Sequence, residues 1–383
     1  MSTAQAPAPE TFEQAAAVLR AASAGGQGVR IVGAATKACW GRPASPVDAE
    51  LHTSGLDRIL AHNAGDMTAT LQAGVPLAVA QESFAGAGQM LSLDPPLGAG
   101  ATIGGIVATG DSGPLAHRYG GPRDLVVGAT VALADGTIAK SGGTVIKNVA
   151  GYDLAKLMAG SFGTLGLILS VNVRLHPRPQ LTATVAGGSA DARALQQAAH
   201  ALAVAPAELE ALDVNWRDGR GVLLARVAGP RSEARARRLA GTMADAGLTE
   251  IETVAGDDEA LWDAQRDEQR STRSASVRVA TRAAELAAVI AAVQSCDGSL
   301  VGRAALGHTW AQVQPAAIAR LRGRLPAGAT AIVQDLPESA AAGSHGDDPW
   351  GPVQPELLDL MRRLKLRFDP GGTCNPGIFV GGI

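Results

Sequence analysis

The residues of this chain that could do chemistry are mostly glycines and their small neighbours. Val29-Arg30-Ile31-Val32 reads as a short strand that runs directly into Gly33-Ala34-Ala35-Thr36-Lys37. A strand ending in small residues and a threonine exposes successive backbone N–H groups, which can bind an anion as a nest. The same segment is also compatible with an ordinary strand-to-loop turn. A second cluster opens at Asp94-Pro95-Pro96 and runs through Gly98, Gly100 and Thr102 to Gly104-Gly105. A third is Gly160-Ser161-Phe162-Gly163-Thr164-Leu165-Gly166. Between them lie Arg123-Asp124, an Asp135-Gly136 turn and the stretch Lys147 to Leu154. Glycines this dense, interleaved with β-branched runs, mean backbone held close to a ligand or to another backbone. Glycine alone does not say which.

Several chemistries are excluded. Gly98 to Ile103 nearly spells a dinucleotide fingerprint, but Ile103 occupies the third glycine position. No acidic residue follows at the distance a ribose would want. No phosphate-binding GxxxxGK[ST] loop is present either. A net charge of −3 with dispersed basic residues leaves no nucleic-acid footprint. Cys39, Cys296 and Cys374 are isolated and odd in number, forming neither a disulfide framework nor a CxxC metal site, as expected in a reducing cytosol. No basic-then-apolar leader opens the sequence. The most apolar run, Leu165 to Val173, falls well short of the roughly 20 residues of a membrane helix.

The elements that must position these loops can be read in order. Thr11 with Gln14 makes a capping box for a helix whose Phe12, Ala16 and Leu19 share a face. Met67 to Ala73 alternates as a strand, Val75-Pro76 opens a helix to about Ala85, and Gln89 to Leu93 is a further strand. Thr102 caps a short helix whose Gly104, Gly105 and Ala108 allow close approach. Arg123–Leu133 and Thr137–Ser141 form a hairpin across Asp135-Gly136. Tyr152–Met158 is a short helix, and Leu165–Leu175 a long strand ended by Pro177 and Pro179. That double proline is the domain boundary. Beyond it, strands Leu181–Ala186, Gly221–Val227, Ile251–Val254, Ala275–Ala280, Ser299–Gly302 and Ala329–Val333 alternate with helices Asp191–Ala203, Ser232–Ala246, Asp257–Arg270, Ala283–Gln294 and Pro315–Gly323. Two β-α-β-like halves of this kind predict an antiparallel sheet with helices on one face. Ala340–Pro352 reads as a linker before a last helix, Pro355–Leu366. The expected division is 1–178, 179–345 and 346–383.

Together these segments resemble the FAD-binding fold of the vanillyl-alcohol oxidase and p-cresol methylhydroxylase (PCMH) superfamily, and within it the FAD-binding subunits of glycolate oxidase. The resemblance rests on Gly33–Lys37, Asp94–Gly105, Lys147–Leu154, Gly160–Gly166 and the terminal Asp369-Pro370 with Asn375-Pro376-Gly377. It implies an α+β chain: a PCMH-type FAD-binding domain of two α/β subdomains, plus a smaller cap domain with an antiparallel sheet and flanking helices. It implies that the amides of Gly33, Ala34, Ala35, Thr36 and Lys37 cradle the FAD pyrophosphate. Pro96, Thr102, Gly104 and Gly105 would lie along the cofactor, with Ser112 and Gly113 nearby. Gly163, Leu165, Gly166 and Ile168 would line the adenine and ribose side, against a simple packing role for Gly163 and Gly166. Asn375 would return to the flavin from the C-terminus.

Two departures from the family pattern matter. Ala34 stands where relatives with covalent flavin carry histidine, so the FAD is expected to be noncovalent. The seven histidines include no pair at metal-ligand spacing, so no metal is implied. A 2-hydroxy acid would need a cation for its carboxylate and a base for its hydroxyl. Arg266, Arg270 and His308 are candidates, each with a plain alternative as a solvated helix face or a structural histidine, and Tyr152 and Asp153 read as structural. The catalytic residues stay unassigned. The resemblance further implies a subunit of a glycolate oxidase or dehydrogenase complex, with a larger FAD-binding catalytic subunit and an iron–sulfur subunit as partners. A noncatalytic flavin-holding subunit and a standalone dehydrogenase are the alternatives. The implied location is the cytoplasm, or the periphery of the inner membrane through those partners.

Overall fold

The structure is a computed structural model that describes residues 8–42, 46–143, 153–341 and 348–383. The Lys147-to-Tyr152 part of one flavin-family segment lies outside the described residues, as do residues 342–347 of the linker read from composition, His345 among them. Contacts divide the chain into two compact units. The first comprises residues 1–112, 120–178 and 352–383; the second comprises 113–119 and 179–351.

In the first unit, helix Phe12–Ala24 starts where the capping box predicts: the Thr11 side chain accepts from Gln14 N–H while Gln14 Oε1 accepts from Thr11 N–H. Its buried Ala15, Ala16, Leu19 and Ala22 pack with Val29, Leu51, Leu56, Leu167 and Leu169. Strand Val29–Val32 pairs in parallel with Ala49–His52. On its other side Val29 bridges Cys374, also in parallel, so the tail extends this small sheet. A five-stranded antiparallel sheet runs in the order Ile59–Asn63, Thr68–Gln72, Leu167–Arg174, Val126–Ala132, Ile138–Gly142. The predicted hairpin turn is present, with Gly136 at φ 79° and Asp135 Oδ1 accepting from Thr137 N–H. Strands Ala49–His52 and Ile59–Asn63 were not expected: both are short and half-buried, and their patterning is correspondingly faint.

The second unit is built on an eight-stranded antiparallel sheet. Its order is Thr249–Ala255, Thr182–Ser189, Arg220–Ala228, Leu209–Arg217, Ser299–Arg303, His308–Val313, Ala275–Ala280, Thr330–Asp335. Two of these strands, Leu209–Arg217 and His308–Val313, are additions to the sequence reading. Glu210, Asp213, Arg217, His308 and Gln312 interrupt their apolar alternation; of the charges, Glu210 and Asp213 are buried beside Arg226 and Arg303, and Arg217 is exposed. Helices Ala192–Val204, Ser232–Asp245, Leu286–Gln294 and Ile318–Arg324 cover one face. Helix Glu259–Asp267 corrects the expectation of helices on one face only. Trp262 packs against Ala211 and Leu224, which alternate with the core-facing residues of their strands, so this helix lies on the opposite face. Trp262 Nε1 donates to Thr184 Oγ1 at 2.8 Å, giving the buried indole its partner. Among the described residues no helix is long and apolar enough to cross a membrane.

Candidate functional site

All lining residues of the candidate cavity belong to the first unit. Its empty volume is about 990 Å³, counted out to open solvent. One wall is strand Val29–Val32 and the loop after it. Within the loop Ala38 N–H donates to Ala35 C=O and Trp40 N–H to Lys37 C=O. Gly33 to Lys37 line the cavity, with Ala35 in the left-handed region at φ 56°.

The second wall is helix Ile103–Thr109. Thr102 is its N-cap, its hydroxyl accepting from Gly105 N–H. The same hydroxyl lies close against the loop: a Cβ at Gly33 would stand 2.4 Å from Thr102 Oγ1. Gly104 and Gly105 then divide two tasks. A Cβ at Gly104 would meet Ala73 Cβ at 2.6 Å, and Gly104 N–H donates to Ala73 C=O, so this glycine seats the helix on the strand exit. A Cβ at Gly105 would meet only Thr102 Oγ1, at 3.0 Å, and otherwise enter the cavity. Gly105 leaves room for a ligand.

The third wall is Phe162, Gly163 and Gly166 to Ile168 with the tail. Gly163 and Gly166 line the cavity, but each also has a packing reason to be glycine. Gly163 sits at φ 70° with Asn375 Nδ2 2.7 Å from an added Cβ; Gly166 sits at φ 146° with Ala132 C=O 2.7 Å away. Asn375, itself at φ 43°, joins the walls: Oδ1 accepts from Ile31 N–H at 2.7 Å and Nδ2 donates to Phe162 C=O at 2.6 Å. Behind it, buried Lys365 Nζ donates to Thr164 C=O, Cys374 C=O and Asp369 Oδ2, while Asp369 accepts from Thr373 and Cys374 N–H. Burial, with the Asp369 carboxylate second, pushes the Cys374 thiol up to about 12. It is an inert thiol.

Gly33 to Lys37, Thr102, Gly104, Gly105, Gly163, Gly166, Ile168 and Asn375 all line this cavity; Pro96, Ser112, Gly113 and Leu165 do not. Gly113 belongs to the second unit, where its C=O accepts from Arg303 Nε. Arg30, Thr53, Thr109 and Ile378 line the cavity without having been singled out from sequence. Arg30 alternates with core residues on a strand already recognised, so its inclusion was recoverable; Thr53 and Ile378 carry no local signal. Among the described residues, no Asp or Glu lines the cavity, whereas Arg30 and Lys37 do. Small residues and backbone, with Arg30 and no acid in the lining, suit an elongated anion such as a dinucleotide.

The comparisons with known proteins agree with that chemistry. Residues 4–142 match the family described as FAD binding domain. Over those residues the chain is similar to an FAD-binding domain. FAD is its cofactor, and the open face of Gly105 together with the acid-free lining fits it. The match ends at residue 142, so Phe162–Ile168 and Asn375 join the cavity from beyond it. Glycolate oxidase subunit GlcE of Escherichia coli (strain K12) is 38% identical over 153 residues, covering 39% of this chain and 43% of that protein. Glycolate oxidase subunit GlcD of Bacillus subtilis (strain 168) is 34% identical over 184 residues, covering 47% and 39%. The matched region thus spans less than half the length of these relatives. A solved alkyldihydroxyacetonephosphate synthase superposes with a TM-score of 0.69 at 15% identity, over 96% of this chain and 75% of that one. The PCMH-type fold expected from the sequence is the fold found.

The second unit holds the remaining candidates. Arg266 pairs with Glu259 and Asp263 on its own helix. Arg270 grips Asp335 through Nε at 2.6 Å and Nη2 at 2.8 Å. His308 lies on a strand facing Arg303, and burial, then the charges of Arg278 and Arg303, lower its pKa to about 4. Its imidazole is neutral at physiological pH and a weak proton acceptor. Among the described residues no group of three His, Cys, Asp or Glu gathers as a metal site.

Proposed function

We propose that this chain is the FAD-binding subunit of a glycolate or related 2-hydroxy acid oxidase complex, holding its FAD noncovalently and passing electrons to a partner. The observation that carries the reading is the cavity of the FAD-binding domain, lined by the Gly33–Lys37 amides and by Gly105 and free of acidic side chains. The names of the relatives GlcE and GlcD, both glycolate oxidase subunits, supply the substrate class and the complex.

Bound FAD supplies the two-electron acceptor. The chain's part is to hold and orient it. The amides of Gly33 to Lys37 receive the pyrophosphate, Gly105 admits the cofactor against helix Ile103–Thr109, and Asn375 keeps the opposing walls in register. Ala34, at the loop position where a histidine link would form, leaves the flavin exchangeable.

Arg266 and Arg270 already hold carboxylates of this chain, and neutral His308 is a poor base. These three observations favour a second reading in which the substrate site lies on a larger FAD-binding catalytic partner and this flavin serves assembly or electron transfer. An iron–sulfur partner would take the electrons onward, since three scattered cysteines cannot hold a four-thiolate cluster.

The test has two steps. Acid precipitation of the purified yellow protein is expected to leave flavin in the supernatant; colour retained in the washed pellet overturns the noncovalent assignment. Dye-coupled glycolate oxidation is then measured on the single chain and on the chain co-expressed with a larger flavoprotein and an iron–sulfur protein. Turnover confined to the co-expressed sample is the expected result. Full turnover by the single chain overturns the subunit reading and makes the chain a standalone dehydrogenase.

A further inference from the structure

Lys37 closes the anion-binding loop, yet its ammonium is already engaged. Nζ lies 3.2 Å from Asp111 Oδ2, 3.4 Å from Thr36 Oγ1 and 5.8 Å from the centre of the Trp40 ring. The Lys37 and Asp111 side chains are only 5% and 2% exposed. Asp111 follows helix Ile103–Thr109 by one turn-ending glycine, Gly110 at φ 66°. The other end of the loop rests on the start of that helix, through Gly33 against the Thr102 hydroxyl. One helix therefore pins the loop at both ends. Between the pins, Ala35 is held at φ 56°, a conformation that costs an alanine free energy and persists only when its surroundings impose it.

We infer that Asp111 is a positioning residue for the FAD pyrophosphate loop, and that Lys37 serves as its anchor rather than as a ligand of the phosphates. The inference rests on the assignment of the cavity to FAD. A carboxylate beside the ammonium turns a point charge into a short dipole, whose field falls off faster than that of a free cation. What this loop then offers the phosphates is its row of amides, whose direction depends on the loop staying pinned. Two desolvated partners also behave differently together and apart: removing one leaves an uncompensated buried charge, while removing both leaves a neutral gap.

This asymmetry separates an anchor from a ligand. The variants are Lys37→Met, Asp111→Asn and the double, each prepared as apoprotein, with FAD affinity read by quenching of flavin fluorescence and apoprotein stability by thermal midpoint. Each single variant is expected to bind FAD at least tenfold more weakly and to melt lower. The double is expected to recover to within about fivefold of the wild type and to melt above both singles. A double variant that binds no more tightly than Lys37→Met overturns the inference, as does one that melts no higher than the singles. Tighter FAD binding by Asp111→Asn also overturns it, because it would mean that the released ammonium reaches the phosphates. Should the wild-type chain fail to bind FAD, the cofactor assignment of the cavity falls. The apoprotein midpoints still report whether the two residues act as one pin.

Discussion

Asn375 Oδ1 accepts a 2.7 Å hydrogen bond from the backbone N–H of Ile31, a residue 344 positions earlier in the chain. Its Nδ2 reaches Phe162 C=O, and its own N–H returns to Val29 C=O. One residue thus ties the first strand, the Gly160–Gly166 loop and the tail around the candidate cavity. The residue sits at φ 43°, where asparagine is tolerated better than other non-glycine residues.

Two substitutions separate the side chain from the backbone. Asn375→Gly keeps the left-handed conformation and loses the side-chain bonds, costing about 1–3 kcal/mol. Asn375→Ala loses the same bonds and adds about 1–2 kcal/mol of left-handed strain. The expected order of thermal midpoints is wild type, Asn375→Gly, Asn375→Ala, with FAD affinity falling in the same order. An alanine variant as stable as the glycine variant would remove backbone strain from the explanation.

Gly104 and Gly105 are neighbours with opposite expected phenotypes. Gly104→Ala drives a methyl group to within 2.6 Å of Ala73 and should destabilise the apoprotein by about 1–3 kcal/mol through overpacking. Gly105→Ala meets only the Thr102 hydroxyl, and alanine favours helix by up to about 1 kcal/mol, so apoprotein stability should stay within about 1 kcal/mol of wild type. Its methyl group enters the cavity, and FAD affinity should fall at least tenfold. Differential scanning calorimetry of the apoproteins beside flavin titrations reads both effects. Undiminished FAD affinity in Gly105→Ala would place the cofactor away from this helix.

The cavity's outline was legible because its walls are local signals: a strand running into small residues at Gly33, a threonine cap at Thr102, and glycines in sequence at 160–166. Local sequence does not record which glycine faces what. Gly104 and Gly105 look alike on paper, and the division of labour between them is set by Ala73, which arrives from another strand. Asp111 and Lys365 were invisible for the same reason, since each is defined by a partner distant in sequence or by a buried carbonyl. In the second unit, strand Leu209–Arg217 was missed because Glu210 and Asp213 break the apolar pattern. Arg226 and Tyr119 sit beside Glu210, and Arg303 pairs in register with Asp213. Compensated burial of charge erases the hydrophobic alternation by which strands are read.

Lys365 is the only buried residue of helix Pro355–Phe368, and it holds the tail through Asp369 and two carbonyls. Lys365→Met leaves Asp369 without its cation in a buried site, which should cost about 3 kcal/mol, at the low end for a broken buried pair because two backbone N–H groups still serve the carboxylate. Arg362→Ala removes an exposed contact to Asp359 and should cost less than about 1 kcal/mol. Thiol labelling gives an independent readout. Exposed Cys39 should react at once in every variant, while buried Cys374 should become reactive markedly faster in Lys365→Met. Unchanged Cys374 protection in a destabilised Lys365→Met would show that the tail is held by something else.

His308 makes the second unit sensitive to acid. Burial, with the positive charges of Arg278 and Arg303, lowers its pKa from 6.5 to about 4. Below pH 6.5 the unfolded chain takes up a proton that the folded chain refuses until about pH 4, so the unfolded state binds more protons across that window. Stability therefore rises with pH from 4 to 6.5 and is lost as pH falls through the same range, by on the order of 2 kcal/mol from this group. His308→Gln keeps a polar side chain of similar length and removes the titration. Urea midpoints at pH 7.5 and pH 4.5 should fall further in the wild type than in His308→Gln, with equal m-values marking a change of stability rather than of compactness. Equal drops in the two proteins would mean that His308 is protonated in the fold at pH 4.5 and that the two arginines are screened from it.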